Sequence, residues 1–316
     1  MSAPTPTNTS HENMARISTP APPPDVSRTE MAPPAPSTPP RPRTNKTALI
    51  ITVVAVVVLA PVLLCVGAAL ATGVGGFLAS RLTEQTATST FQVAVPDHPT
   101  ITVSDTAGQV TITRGATHQV SVVATKRAHA GTSAAARDLL KTMTVTAVPI
   151  SGGARITATT GQNAPLSRQT VDLRITVPET SNLRVTVNAG TLTITSMTTN
   201  INLTMNAGTV DVRDVTMQGE NAINVSTGTL NFNGALADES DVTATVATGT
   251  TNISLPSASA THLTATTHVG SVSVTPWPAT IQRSGVGQSA EVDLNPQPTN
   301  TMTVRVDTGS IKVSAR

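Results

Sequence analysis

The chain has 316 residues, of which only 12% are charged, with one Cys, one Trp, three Phe and no Tyr; ordinary globular domains are roughly one-quarter charged. Residues 1–46 hold five basic and three acidic groups, whereas residues 81–316 hold fifteen of each. The large C-terminal part is therefore neutral and lacks the positive field that nucleic-acid binding needs, and a single cysteine excludes an intrachain disulfide.

Residues 1–46 contain twelve of the 23 prolines, as in Ala21-Pro-Pro-Pro24. So few apolar groups cannot offset chain entropy, so the segment reads as a disordered, Pro-rich tail with polyproline II character. Pro36-Ser-Thr-Pro39-Pro40-Arg41 has the spacing of a PxxPxR ligand for SH3-like domains. A plain disordered tail is the simpler reading.

No charged residue occurs from Thr47 to Ser80. Residues 47–71 are predicted to form a transmembrane helix, long enough to span about 30 Å of hydrocarbon. Pro61 is expected to kink it, and Gly73, Gly75 and Gly76 mark its far end. Arg41, Arg43 and Lys46 flank its N-terminal side, while Arg81 on the other side is offset by Glu84. The positive-inside rule then places the tail in the cytoplasm and the C-terminal domain outside the cell membrane. A signal-peptidase site at Ala69-Leu-Ala71 is the rival reading. The 46-residue leader is long for a signal peptide and favours a retained anchor. Leu64 stands before Cys65 where a lipoprotein signal needs a small residue, so Cys65 reads as an apolar helix residue.

Residues 72–90 read as a linker, polar and Thr/Ser-rich from Arg81, and residues 91–316 as the ectodomain. Ile101–Ile112, Val120–Thr125, Met143–Val148, Ala154–Thr159 and Val171–Val177 alternate as strands. Ser133 is placed to cap a short helix whose shared face is Ala135, Leu139 and Met143. Such a helix suits the end or side of a repeat stack, which needs covering.

From Leu183 to Val313 one sentence recurs. It reads Leu183-Arg-Val-Thr-Val-Asn-Ala-Gly190-Thr-Leu-Thr-Ile194, then Ile201-Asn-Leu-Thr-Met-Asn-Ala-Gly208-Thr-Val-Asp-Val212, and returns around Gly228, Gly249, Gly270 and Gly309. Numbered from the glycine, aliphatic or small residues take −7, −5, −3, −1, +2 and +4. Period two predicts strands with one buried face, and the glycine marks a corner that needs positive φ. Successive glycines lie 18, 20, 21 and 21 residues apart, and the 39-residue gap to Gly309 holds Gly287 in a degraded copy. Repeats of this length must stack, which predicts a mainly β fold: a β-solenoid of six to seven rungs, roughly 30 Å long. Gly108 heads a further copy in which Asp105 departs from the template at −3. Val187, Met205, Val225, Val246, Thr267 and Val306 share position −3 and are expected inside. The irregular rung is expected at Thr275-Pro-Trp277-Pro278 and Gly287.

The run Val171-Asp-Leu-Arg-Ile-Thr-Val-Pro178, followed by Leu183-Arg-Val185 and the glycine-punctuated repeats, resembles the bacterial putative-adhesin family of unknown function. The likeness covers residues 91–316. It implies a β-solenoid behind one membrane anchor and carries no catalytic residues.

No HExxH, CxxC, Walker or GxSxG motif is present. His262 and His268 take outward positions with no zinc set around them. Asp238-Glu239-Ser-Asp241 could hold Ca²⁺ or act as paired carboxylates, but reads first as an acidic corner between rungs. Glu291 and Asp293 point outward, Trp277 sits between prolines in a loop, and Phe232 belongs to the core. Asn188 and Asn206 share −2 and are expected to stack as an amide ladder. Matches to the glycosylation sequon at Asn202, Asn224 and Asn252 arise readily by chance in so Asn- and Thr-rich a chain.

The function read from this is a non-enzymatic, membrane-anchored surface module for adhesion or envelope organisation, meeting an extracellular protein or glycan, with no cofactor, metal or nucleic acid. A sensor signalling to the Pro-rich tail is the alternative. A carbohydrate-active β-helix enzyme is third, disfavoured by the missing acid pairs and aromatics.

Overall fold

The computed structural model describes residues 83–116, 118–161 and 168–316. The predicted tail, the apolar run 47–71 and residues 72–82 lie outside the described residues. Among the described residues no helix is long and apolar enough to cross a membrane. The fold is mainly β. In chain order its elements are β1 Thr83–Ala94, β2 Thr100–Arg114, β3 Gln119–Ala130, α1 Ser133–Thr142, β4 Thr144–Ile150, β5 Gly153–Thr159, β6 Arg168–Val177, β7 Asn182–Thr195, β8 Thr198–Thr199, β9 Ile201–Met217, β10 Glu220–Leu236, β11 Asp241–Leu255, β12 Thr261–Thr275, β13 Thr280–Ser284, β14 Gly287–Asp293 and β15 Asn300–Ala315.

Seven strands pair in parallel, in the order β2-β7-β9-β10-β11-β15-β12. Their glycines align: Gly108 with Gly190, then Gly208, Gly228, Gly249, Gly309 and Gly270. Only Gln218 and Gly219 separate β9 from β10, yet Ala222 pairs with Asn202. A straight strand of 17 residues would span about 56 Å and could not return in two. Each repeat must therefore curl round as one coil of the chain, laid on its neighbour at the strand spacing.

Two kinds of corner make the coil. The first is the glycine corner, where φ lies between +139° and +152° in all seven copies. A Cβ on Gly190, Gly208, Gly228, Gly249, Gly309 or Gly270 would fall 1.7–1.9 Å from the carbonyl oxygen of the adjoining glycine. No side chain fits there. The second is the return corner, closed by short polar groups. The Ser181 hydroxyl donates to Pro178 O at 2.7 Å and that of Ser240 to Ala237 O at 2.6 Å. Asn221 Oδ1 accepts from the Ile201 N–H at 2.8 Å. These bonds satisfy backbone groups that a buried turn would otherwise leave unpaired.

Between the corners the inward columns run as expected. The −3 residues Val187, Met205, Val225, Val246, Val306 and Thr267 pair in that order and are all buried. Position −1 is a correction. Ala189, Ala207, Thr227, Thr248, Thr308 and Val269 are exposed, as are most residues at −2. The −2 residue drops out of the register in every pair of coils, so the alternation changes phase there and two successive side chains face out. Beyond the glycine, +2 and +4 point inward again, with Phe232 2% exposed.

The ends are where the chain departs from simple repetition. Gly287 heads no coil: β13 and β14 form a hairpin, and β14 runs antiparallel on the outer side of β12. That side being taken, the last copy, β15, slips between β11 and β12. Trp277 packs, partly buried, against the core. At the other end, β5 and β6 each pair with one half of β2, and β3, β1 and β4 add antiparallel strands. Helix α1 packs on β1 and β3, as a cover should. Its N-cap is Thr132, whose hydroxyl accepts from the Ala135 N–H at 3.2 Å, in place of Ser133. Its buried face carries Ala136, one position on from Ala135, with Leu139 and Met143 as expected. The linker boundary also moves, since residues 83–90 form the first part of β1.

Two substitutions test this register. Gly208→Ala places a methyl group in a neighbouring carbonyl at a φ of +141°, so thermal melting should show a loss of about 3 kcal/mol or more. Thr204→Ala, on the outer surface, should cost well under about 1 kcal/mol.

Candidate functional site

On the arm after each glycine, positions +1, +3 and +5 face outward. At +3 the register aligns Asp211, Asn231, Asn252 and Lys312 on four adjoining coils. The side chains lock together. Asn231 Nδ2 donates to Asp211 Oδ1 at 2.8 Å, and Asn252 Nδ2 to Asn231 Oδ1 at 2.9 Å. Arg213 pairs with Asp211 at 3.1 Å. An amide has two donor hydrogens and two acceptor lone pairs, so each linked amide keeps one N–H free to offer outward. Beside this ladder run Arg213, Asn233, Ser254 and Ser314 at +5, and the two columns line a shallow groove of about 340 Å³. The predicted ladder at −2 is also present, with Asn206 Nδ2 donating to Asn188 Oδ1 at 3.2 Å.

The groups marked for possible chemistry do not converge. Asp238 accepts from the Thr299 hydroxyl at 3.2 Å, and Glu239 turns the chain with φ +58°. Asp241 lies in register with Glu220 beside a second groove that includes Arg184 and Asn202. The three acids therefore spread around one corner. His262 is clamped between Asp293, 2.6 Å from Nδ1, and Glu291, 3.4 Å from Nε2. Antiparallel pairing of β12 with β14 brings these together, which sequence spacing alone could not show. His268 meets Asp307 at 3.1 Å across β12 and β15. Among the described residues no group of three His, Cys, Asp or Glu side chains is placed to hold a metal ion. Asn202 and Asn224 are exposed, while the Asn252 amide is engaged in the ladder.

The sequence profile of the Toastrack DUF4097 family matches residues 74–314. The chain belongs to this family. The resemblance drawn from Val171–Gly190 thus stands. No curated protein matches the sequence. Among solved structures, a putative cell adhesion protein from Clostridium sporogenes is similar at 11% identity and TM-score 0.40, covering 75% of this chain and 100% of its own. A putative adhesin from Bacteroides fragilis gives 14% identity and TM-score 0.26, covering 72% and 96%.

The first coil of the Toastrack domain carries one anomaly. Asp105 occupies the −3 column beside Val187, is 2% exposed, and neither carboxyl oxygen makes a hydrogen bond of normal geometry. Burial pushes its pKa up from 3.8 to about 7, with the nearby Asp172 charge adding to the rise and the backbone N–H groups of Thr106 and Ala107 tempering it. A folded pKa above the unfolded one means that the native state holds more protons between the two values. Stability from this group is thus full below about pH 4, declines as pH rises through about 7, and then levels. The difference is on the order of 4 kcal/mol. Thermal melts should show the chain more stable at pH 5 than at pH 8, and Asp105→Val should raise the melting temperature at pH 8 and flatten that dependence.

Proposed function

We propose that the chain is a non-enzymatic cell-surface module, a β-solenoid held at the membrane by residues 47–71 with its repeats outside the cell. It would serve adhesion or envelope organisation by presenting its outward columns to extracellular glycan or protein. The observation that carries this reading is the linked row Asp211, Asn231 and Asn252, which crosses three adjoining coils and keeps amide hydrogens free. The flank of Arg41, Arg43 and Lys46 supports the orientation.

Binding by such a surface is the sum of many weak contacts. Cells displaying the full chain should attach to their target measurably better than cells without it. Single Asn231→Ala or Asn252→Ala changes should each weaken attachment by less than about tenfold, equal to about 1.4 kcal/mol. Complete loss from one carboxylate, such as Asp238, Glu239 or Asp241, at an unchanged melting temperature would contradict the reading and point to a discrete catalytic or metal site. Protease added to intact cells should remove the repeats and spare residues 1–46.

A further inference from the structure

The two ends of the sheet are finished differently. At one end, the outermost strand β1 has α1 and β4 packed against it. At the other, among the described residues β13 pairs with β14 alone, and all five of its residues are exposed. Among the described residues four large hydrophobic side chains are exposed, and three lie here: Val269 at 47%, Ile281 at 38% and Val286 at 71%. The Gly270 N–H donates to Val286 O at 3.0 Å, which sets Val286 beside Val269. A bare strand edge offers a row of unpaired backbone groups, and proteins usually cover or blunt it.

The register of the hairpin fixes which groups are free. Ser284 pairs with Gly287 across the two-residue turn Gly285-Val286, with Gly285 at φ +63°. The closing pair of such a turn exchanges both its hydrogen bonds, and bonded pairs then alternate along the ladder. Thr280, Gln282 and Ser284 therefore spend their backbone groups on β14. Those of Ile281 and Arg283 face the open edge.

We infer that β13 is the docking edge for a second copy of this chain, the two β13 strands pairing antiparallel about a two-fold axis at Gln282. In that register Ile281 of each copy faces Arg283 of the other, so both free residues on each strand are bonded. Pairing centred on Arg283 would set two guanidinium groups opposite one another. The same alignment carries Val286 toward the exposed Pro278 and half-buried Trp277 of the second copy, so that one apolar surface meets another. A strand edge recognises a strand, and this one is complementary to itself in backbone and apolar contact, with the two Arg283 side chains kept apart.

The test uses the full chain with Cys65→Ala, which removes the native thiol. Gln282 faces its own copy as a non-hydrogen-bonded pair, with Cα atoms about 4.5 Å apart, inside disulfide range. Gln282→Cys should therefore give a covalent dimer under mild oxidation. Thr204→Cys, half-buried on the outward face of a middle coil, should not. Adding Ile281→Pro removes an edge N–H that β14 does not use, and should abolish the dimer while leaving the melting temperature nearly unchanged. Absence of dimer from Gln282→Cys, equal dimer from Thr204→Cys, or a dimer that survives Ile281→Pro would each overturn the proposal.

Discussion

The whole stack depends on a steric fact at one corner: the carbonyl oxygen of each corner glycine sits where a Cβ on the next would be. Six glycines share this arrangement, and the seventh, Gly108, meets the Val171 carbonyl at 2.1 Å in the same way. With the backbones so close, each coil is held at a fixed height and phase on its neighbour. A period-two sequence has no other strong defence against slipping by two residues, because a slip of two keeps the same face inward. The glycine ladder supplies the missing phase. Aligned −3 and +2 columns, and the polar ladders outside, follow from it.

That constraint was legible because it leaves a single residue type at a fixed interval. The inward columns were legible for a related reason, since Val, Leu and Ile at alternate positions have one economical place to go. The phase change at −2 was hidden. Ala207 and Thr227 sit as comfortably outside as inside, so composition at −1 carries no direction. The order of the coils was hidden more deeply. Every copy carries the same corner and the same columns, so β15 fits on β11 as well as β12 would. Only the hairpin on β12, announced by Pro276-Trp277-Pro278 but not specified by it, decides the matter. The first part of β1 carries no such signal, since Thr83, Ala87 and Ser89 are only half-buried and Thr86, Thr88 and Thr90 are exposed.

The candidate site divides along the same line. Outward amides on consecutive coils were readable in principle from Asn231 and Asn252 holding one template position, as the −2 ladder was from Asn188 and Asn206. Lys312 at the end of the row was not, because it arrives there through the out-of-order coil. The clamp on His262 likewise needs the antiparallel return of β14. Asp105 is a visible break in the pattern, and it is buried with neither carboxyl oxygen in a hydrogen bond of normal geometry. Its side chain works against the core in which it lies.

The register, with its out-of-order last coil, is best tested by crosslinking within one chain. Thr245 lies in register with Arg305, and Arg305 with Thr266. With Cys65 replaced by Ala, cysteines at 245 and 305 would have Cα atoms about 4.8 Å apart, within disulfide reach. Cysteines at 245 and 266 would be two strand spacings apart, about 9.6 Å, and beyond it. The coil register predicts an intrachain disulfide for the first pair and none for the second. A disulfide between 245 and 266, with none between 245 and 305, would show the coils stacked in sequence order and contradict it.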